Sequence, residues 1–140
     1  MAMKEYRREV LYYETDRMGI VHNSNYLRYF EEARLHHMQQ SGLPYYKLEE
    51  RGIIIPQTEA HIKYENILRY GDTFQVAVKL TEYTGVRLSY EYKITDAETR
   101  RAVAEGKTSH CFLDDAKRVP VNLKRRLPEL SEAFEKNIDE

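Results

Sequence analysis

The sequence predicts an α+β fold in which one long helix packs against a single antiparallel sheet. Two patterns lead to this prediction. A stretch with helical periodicity follows the first strand-like segment, and four further strand-like segments joined by short turns come after it. Because one helix covers only part of a five-stranded sheet, the uncovered surface and the edge strands predict a homodimer or homotetramer.

The elements are predicted in chain order as follows. Apolar and polar residues alternate loosely over residues 4–13, which predicts the first strand. Asn23 or Ser24 is expected to cap a helix that runs to about Gln40 and ends at Ser41-Gly42. The later segments predict a helical turn over residues 45–51, strands over 53–66, 73–83, 86–95 and 100–113, and a last helix over 130–138.

The long helix has a wide apolar face. At about 100° per residue, one broad arc contains Tyr26, Tyr29, Phe30, Ala33 and His37. A face this wide predicts a helix covered by the sheet. Arg34 falls inside the same arc three residues after Glu31, so we expect a Glu31–Arg34 ion pair to neutralise it.

Composition and charge narrow the class of protein. A chain of 140 residues predicts a single domain over residues 1–140, and a formal net charge of −1 gives no basic surplus for nucleic-acid binding. The start has no apolar signal-peptide core, and no segment approaches the roughly 20 apolar residues of a membrane span. Cys111 is the only cysteine, which excludes an internal disulfide. We therefore expect a cytoplasmic protein.

The candidate site lies in the stretch from Tyr12 to Arg34. Asp16 lies in a short loop with Gly19, and Asn23-Ser24-Asn25 then opens the long helix. The first turn of a helix presents unpaired N–H groups and the positive end of the helix dipole. A carboxylate that loops back toward this end would place a base or nucleophile beside an oxyanion-binding site.

Several motifs occur in a recognisable order over about residues 5–130. They are Thr15-Asp16, Gly19-Ile20-Val21, Asn25-Tyr26 and Phe30-Glu31-Glu32-Ala33-Arg34, followed by Tyr64, Arg69-Tyr70-Gly71-Asp72, Cys111, Asp114 and Pro120. In these motifs the chain resembles the acyl-CoA thioesterase branch of the hotdog-fold superfamily, the 4-hydroxybenzoyl-CoA thioesterase-like group. The resemblance implies a five-stranded antiparallel sheet wrapped around one long central helix, and hydrolysis of an acyl-CoA to free acid and coenzyme A.

The resemblance also implies catalytic roles. Asp16 would attack the thioester carbonyl or activate the water that does, and the backbone N–H of Asn23 would polarise the carbonyl. Since a thiol has a pKa of only about 8.5, its thiolate is a good leaving group. A positioned carboxylate and oxyanion donors then suffice. No metal or organic cofactor is expected, because coenzyme A is part of the substrate.

The expected substrate-binding residues are Tyr12, His22 and Tyr26. Tyr12 lies four residues before Asp16, where the resemblance implies a tyrosine hydroxyl near the carboxylate. Structural burial explains Tyr12 equally well, and Tyr13 is the alternative for the same role. His22 is expected either to line the pocket or to take part in the chemistry.

The chain departs from the family pattern at two positions. Asn23 stands where a histidine is usual, with His22 one residue earlier, and Ile67 stands where proline is common. The departure at Asn23 keeps open a second hypothesis, a non-catalytic acyl-CoA-binding or sensing module. Asp16 argues against that hypothesis, because a pure binder has no use for a negative charge facing an anionic ligand.

Other readings are weaker. A hydroxyacyl-thioester dehydratase would need a histidine–acid pair that is not recognisable here, and a DNA-binding regulator would need a basic surplus. Glu31 lies on the helix where a sister branch of hotdog thioesterases carries its acid, but its expected pairing with Arg34 favours a structural role. No metal-ligand spacing is shown by His36, His37, His61 and His110.

Overall fold

The computed structural model describes residues 4–138, and its main element is one antiparallel sheet. The five strands of this sheet lie in the order β1-β4-β5-β6-β3 and are β1 (Tyr6–Glu9), β3 (Gln57–Tyr64), β4 (Thr73–Tyr83), β5 (Arg87–Asp96) and β6 (Ala102–Cys111). A two-stranded ladder joins β2 (Ile53–Ile54) to β7 (Leu113–Asp114). The predicted α+β class and the five-stranded antiparallel sheet are confirmed.

The long helix, α1, spans Asn25–Gln40 and packs against the inner face of the sheet. The shorter helices are α2 (Tyr45–Glu50), α3 (Leu123–Arg126) and α4 (Pro128–Lys136). Ser24 is the residue before α1, as predicted, but its side chain makes no capping hydrogen bond. Gly42 follows the helix with φ +85°, the left-handed conformation that a glycine adopts without strain.

Close packing fixes α1 on the sheet. The Phe30 ring stacks on Tyr92 with 4.4 Å between centroids, and the Tyr29 ring lies 4.4 Å from that of Phe74. A Cβ atom added to Gly106 of β6 would lie 2.5 Å from Phe30 Cε2. Only a glycine therefore leaves room for the helix at this point.

Three predicted strands differ from the observed ones, and the last of them, over residues 100–113, is divided at Phe112 into β6 and β7. The first predicted strand, over residues 4–13, ends after Glu9 and is followed by a 3₁₀ turn over Tyr12–Glu14. The turn forms because the Glu14 side chain accepts the Leu11 N–H at 2.8 Å and draws the chain back on itself. The strand predicted over residues 53–66 is divided near Pro56, since β2 pairs with β7 and β3 pairs with β6.

The predicted Glu31–Arg34 ion pair is wrong. Arg34 Nη1 instead donates to the Tyr92 hydroxyl at 3.0 Å, and no carboxylate in residues 4–138 forms an ion pair with Arg34. The Tyr92 hydroxyl lies 2.6 Å from Thr108 Oγ1, which lies 2.9 Å from Nε2 of the buried His110. The inner face of the sheet thus supplies the partner that helical spacing had assigned to Glu31.

Two features of the structure bear on contacts with a membrane or with another protein chain. In the part of the chain that the structure describes, no helix is long and apolar enough to cross a membrane. At one edge of the sheet, β3 pairs with β6 on one side only, and seven of its eight side chains are exposed.

Candidate active site

A tight loop returns the chain from the 3₁₀ turn to the start of α1. Thr15 and Val21 pair across it, and Asp16 N donates to Ile20 O at 2.9 Å. Gly19 closes the loop with φ +80°, which a residue with a side chain adopts only with strain. Asp16 is therefore held at a fixed place beside the N-terminus of α1.

The Asp16 carboxylate is half-buried, and only one of its two oxygens accepts a hydrogen bond within residues 4–138. Its Oδ1 accepts the Met18 N–H at 2.8 Å, a local bond that orients the group. Its Oδ2 makes no hydrogen bond within residues 4–138. One carboxylate oxygen is thus available to a water molecule or to a carbonyl carbon.

The backbone N–H of Asn23 is also available. The amides on either side of it are engaged, since His22 N donates to Glu14 O at 2.9 Å and Ser24 N donates to His22 Nδ1 at 3.2 Å. Tyr26 N donates in turn to Asn23 O at 3.3 Å. Among the amides of residues 22–26, the Asn23 N–H has no acceptor in the described chain. An unoccupied donor at a helix start is the geometry that an oxyanion site requires.

A cavity of about 360 Å³ brings most of the predicted site residues together. It is lined by Asp16, Met18, Ile20, Val21, His22, Asn23, Tyr26, Tyr64, Asn66 and Ile67. Of the five predicted residues, the cavity contains the carboxylate, the amide-bearing residue and two of the three substrate-binding candidates. Tyr12 is the residue left outside.

Tyr26 forms one wall of this cavity. It is 3% exposed, and its ring lies edge-on to Tyr29 at 5.7 Å and to Tyr64 at 5.2 Å. Burial, with a smaller contribution from Tyr64, raises the pKa of the Tyr26 hydroxyl to about 12. The hydroxyl therefore stays protonated in the physiological range and offers a neutral polar group in an aromatic wall.

His22 lines the cavity from the start of the helix and is exposed. Its Nδ1 lies 2.8 Å from Ser24 Oγ as well as within reach of the Ser24 amide. This local pairing holds the imidazole ring against the first turn. The ring is thus placed at the rim of the cavity, as expected for a pocket-lining residue.

Tyr12 lies away from the cavity in the single chain. It is 75% exposed and packs edge-on against Tyr70 with 5.5 Å between ring centroids. Tyr13, the alternative, is also 75% exposed. The expectation that structural burial explains Tyr12 is wrong, because the 3₁₀ turn directs this segment outward. A substrate contact by Tyr12 stays a prediction.

Six residues of the cavity were not predicted as site residues, and three of them, Tyr64, Asn66 and Ile67, come from the end of β3 and the loop after it. The Tyr64 hydroxyl donates to Asn23 O at 3.3 Å, which ties the end of β3 to the start of α1. Ile67 is 48% exposed and adds an apolar side chain to the cavity. Tyr64 had been noted only as a family motif residue and Ile67 only as a departure from the family pattern. Spacing alone could not show that their segment meets the Asp16 loop.

The cavity thus brings together Asp16 and Asn23 between largely apolar walls. Within the described part of the chain, one Asp16 carboxylate oxygen has no partner and the Asn23 N–H has no acceptor. These groups can activate a nucleophile for attack on a carbonyl and stabilise the oxyanion that results. Within residues 4–138, no three His, Cys, Asp or Glu side chains are grouped as a metal-binding cluster.

Comparison with known proteins agrees with this chemistry. A sequence model of the thioesterase-like superfamily matches residues 10–138. A protein of Aquifex aeolicus named "Putative esterase" is 39% identical over 116 residues, covering 83% of this chain and 89% of that protein. A Bacillus subtilis protein named "Putative acyl-CoA thioesterase YneP" is 31% identical over 128 residues, covering 91% of this chain and 92% of that one.

A solved thioesterase structure is similar to this chain in fold. The DHNA-CoA thioesterase from Staphylococcus aureus superposes with a TM-score of 0.90 at 30% identity, covering 94% of this chain and 88% of that one. The likeness confirms the hotdog fold that the sequence motifs implied.

Proposed function

The chain belongs to the thioesterase-like superfamily and is a thioester hydrolase, and on this premise we propose that it hydrolyses acyl-CoA to free acid and coenzyme A. The observation that carries the proposal is that Asp16 and Asn23, whose N–H has no acceptor in the described chain, line one cavity. Relatives about 30% identical to it are named for two different coenzyme A esters, an acyl-CoA and DHNA-CoA, which supports a coenzyme A substrate.

The proposed reaction has two forms that use the same residues. In one, Asp16 takes a proton from water, and the hydroxide attacks the thioester carbonyl. In the other, Asp16 attacks the carbonyl itself, and water then hydrolyses the mixed anhydride. In both, the Asn23 N–H donates to the oxyanion, the C–S bond breaks and the thiolate takes up a proton. Because the thiolate leaves readily, neither form needs a metal or an organic cofactor.

Substrate contacts are assigned to Tyr26, His22 and Tyr12. The support for Tyr26 and His22 is that they line the cavity that contains Asp16. Tyr12 is exposed in the 3₁₀ turn that precedes the Asp16 loop, and we assign it a substrate contact outside the cavity.

The setting of the enzyme is proposed as well. Residues 1–140 act as a single domain, and the protein works in the cytoplasm, for which its single cysteine is the support. The enzyme is a homodimer or homotetramer, and the unpaired edge of β3 supports this assembly.

A thiol-release assay over short, long, branched and aromatic acyl-CoAs tests the proposal, with Asp16→Asn defining the background rate. Turnover of at least one acyl-CoA well above that background is the expected result. Binding of acyl-CoA without turnover would contradict the proposal and favour the non-catalytic sensing module. Turnover of acyl groups only on an acyl carrier protein would contradict the choice of coenzyme A.

A further inference from the structure

A buried carboxylate, Glu14, lies at the start of the loop that carries Asp16. Glu14 is 3% exposed and stands two residues before Asp16, yet it does not line the cavity. Burial alone would raise the pKa of Glu14. Hydrogen bonds from Arg8, the Leu11 amide and the Tyr29 hydroxyl outweigh burial and hold the pKa below its usual value. Glu14 is therefore a charged group that the fold keeps ionised inside the protein.

Arg8 of β1 is the counter-ion. Its Nη1 lies 2.9 Å from Glu14 Oε1 and its Nη2 lies 2.6 Å from Oε2, a two-bond fork. The guanidinium carbon lies 4.8 Å from the centroid of the Tyr29 ring and 5.3 Å from that of Phe74, in cation–π range. Its Nε donates to a second carboxylate, Glu32 of α1, at 2.7 Å. Arg8 thus ties β1 to the base of the loop and to the helix.

Glu14 also joins both ends of the loop through its own atoms. Its Oε1 accepts the Leu11 N–H at 2.8 Å, on the side where the chain enters, and the Tyr29 hydroxyl at 3.0 Å. Its backbone carbonyl accepts the His22 N–H at 2.9 Å and Asn25 Nδ2 at 2.8 Å, on the side where α1 begins. One residue therefore holds the entry of the loop against the first turn of the helix.

These two ends carry the proposed catalytic groups. Asp16 follows Glu14 by two residues, and Asn23 lies between the two residues that Glu14 O holds. A movement of Glu14 would change the separation between the Asp16 carboxylate and the Asn23 N–H. Catalysis by a positioned carboxylate is sensitive to such movement, since a 1 Å displacement can cost about 100-fold in rate.

We propose that Glu14, held by Arg8, is a positioning residue that sets the Asp16 carboxylate opposite the Asn23 N–H. The proposal rests on the roles proposed above for Asp16 and Asn23. A buried ion pair is a poor source of stability, because desolvation opposes the attraction between the charges. A fully bonded pair does fix a single geometry, and here that geometry is the one of the site.

The variant Glu14→Gln tests this proposal, with Glu32→Gln as the matched control. Both carboxylates bind Arg8, but only Glu14 contacts the loop and the helix start. We expect Glu14→Gln to lower kcat for the best acyl-CoA by about tenfold or more with KM within about twofold, and Glu32→Gln to leave both nearly unchanged. Equal effects of the two variants on kcat would overturn the proposal.

Tyr29→Phe serves as a second variant in case Glu14→Gln does not fold. It removes one hydrogen bond to Glu14 Oε1 and leaves the Arg8 fork in place, so a smaller fall in kcat at unchanged KM is expected. No change in kcat would count against the proposal.

Amide NMR spectra separate this proposal from the proposed function. Glu14→Gln should shift the Asn23 and His22 amide resonances, whereas Glu32→Gln should not. If Asp16→Asn proves as active as the native chain, the catalytic assignment fails, but the amide shifts still report whether Glu14 positions the helix start. Unshifted Asn23 and His22 resonances in Glu14→Gln would overturn the positioning role.

Discussion

The reactivity proposed for Asp16 depends on which of its atoms are bonded. Within residues 4–138, Oδ1 is oriented by the Met18 amide and Oδ2 has no hydrogen-bond partner. Asn23, whose N–H has no acceptor among the same residues, lines the same cavity. Every other amide from His22 to Tyr26 is used by the loop or the helix start.

Gly19 permits the turn on which this arrangement depends. A Cβ atom at Gly19 would find only Arg69 Nη1, at 3.9 Å, so space is available and φ +80° is the obstacle. We expect Gly19→Ala to lose about 1–2 kcal/mol of unfolding free energy and about tenfold or more in kcat/KM, because the loop shifts Asp16. Urea unfolding and the thiol-release assay measure the two effects.

Gly42→Ala is the control for Gly19→Ala. Gly42 has φ +85° and open space, so it should lose similar stability, but it follows the far end of α1 and should keep native kcat/KM. A loss of activity in Gly42→Ala as large as that in Gly19→Ala would show that strain, and not the loop, determines the rate.

Single residues differ in how well the sequence predicts them. Asp16 and Asn23 could be placed because a loop acid and a cap-rich helix start are local patterns, and the cavity brings them together. The partner of Arg34 could not be predicted in this way. Spacing suggested the neighbouring Glu31, whereas Arg34 binds the Tyr92 hydroxyl, 58 residues away in the sequence. Spacing along a helix indicates which helix residues can pair with each other, but it does not show which side chains of the sheet can replace those partners.

At the scale of elements, a partly buried series of polar side chains crosses from α1 to the sheet. Arg34 on α1, Tyr92 on β5, and Thr108 and His110 on β6 are linked by side-chain hydrogen bonds. Burial, and then the charge of Arg34, lower the pKa of His110 to about 4 from 6.5, so the folded chain keeps this imidazole neutral. The helix–sheet interface therefore carries a pH-dependent share of stability.

The sign of this dependence follows from proton binding. Between about pH 6.5 and about pH 4, the unfolded chain binds a proton at His110 that the folded chain does not, so the unfolding free energy falls as pH falls. From about pH 7 to about pH 5, His110 should account for a loss of about 2 kcal/mol. We expect His110→Gln to remove that part of the loss in urea unfolding at the two pH values.

His61→Gln is the matched control for His110→Gln. His61 is exposed on β3, so its replacement should leave the pH dependence of stability at the native value. If His110→Gln and the native chain lose equal stability over this range, the imidazole of His110 is not held neutral by burial.

Elements also differ in how well they are predicted. The helix over residues 25–40 and strands β4 to β6 follow from long periodic runs and short turns. The 3₁₀ turn before the loop could not be predicted, because it depends on the Glu14 side chain reaching Leu11 N. The cavity forms where the loop that carries Asp16 meets the segment that follows β3. This contact could not be predicted either, because it depends on a hydrogen bond between distant residues, from Val21 N to Leu68 O at 2.8 Å.

At the scale of the whole molecule, the edge of the sheet bears on assembly. Among residues 4–138, no strand pairs with the outer edge of β3 (Gln57–Tyr64), and its last residue, Tyr64, is part of the cavity wall. An unprotected edge of this length is a template for pairing with another strand. Pairing of β3 with β3 of a second copy would place another chain next to the candidate active site.

We therefore expect a native mass at least twice the 16.7 kDa of the chain in sedimentation analysis. In hydrogen exchange, amides on both edges of β3 should be protected at high protein concentration, and the outward-facing ones should lose protection on dilution. A monomer at all concentrations, with every second β3 amide exchanging fast, would contradict assembly through this edge.

The most direct test of the catalytic assignment is kcat/KM for the best acyl-CoA in Asp16→Asn, measured beside Glu65→Gln. Glu65 is exposed and lies between two cavity residues, Tyr64 and Asn66, so its variant removes a nearby negative charge without touching the proposed base. We expect Asp16→Asn to lower kcat/KM by at least about 100-fold, the loss of a few kcal/mol of transition-state stabilisation, and Glu65→Gln to stay close to native. Retention of more than about one-tenth of native kcat/KM by Asp16→Asn would contradict the assignment of Asp16 as base or nucleophile.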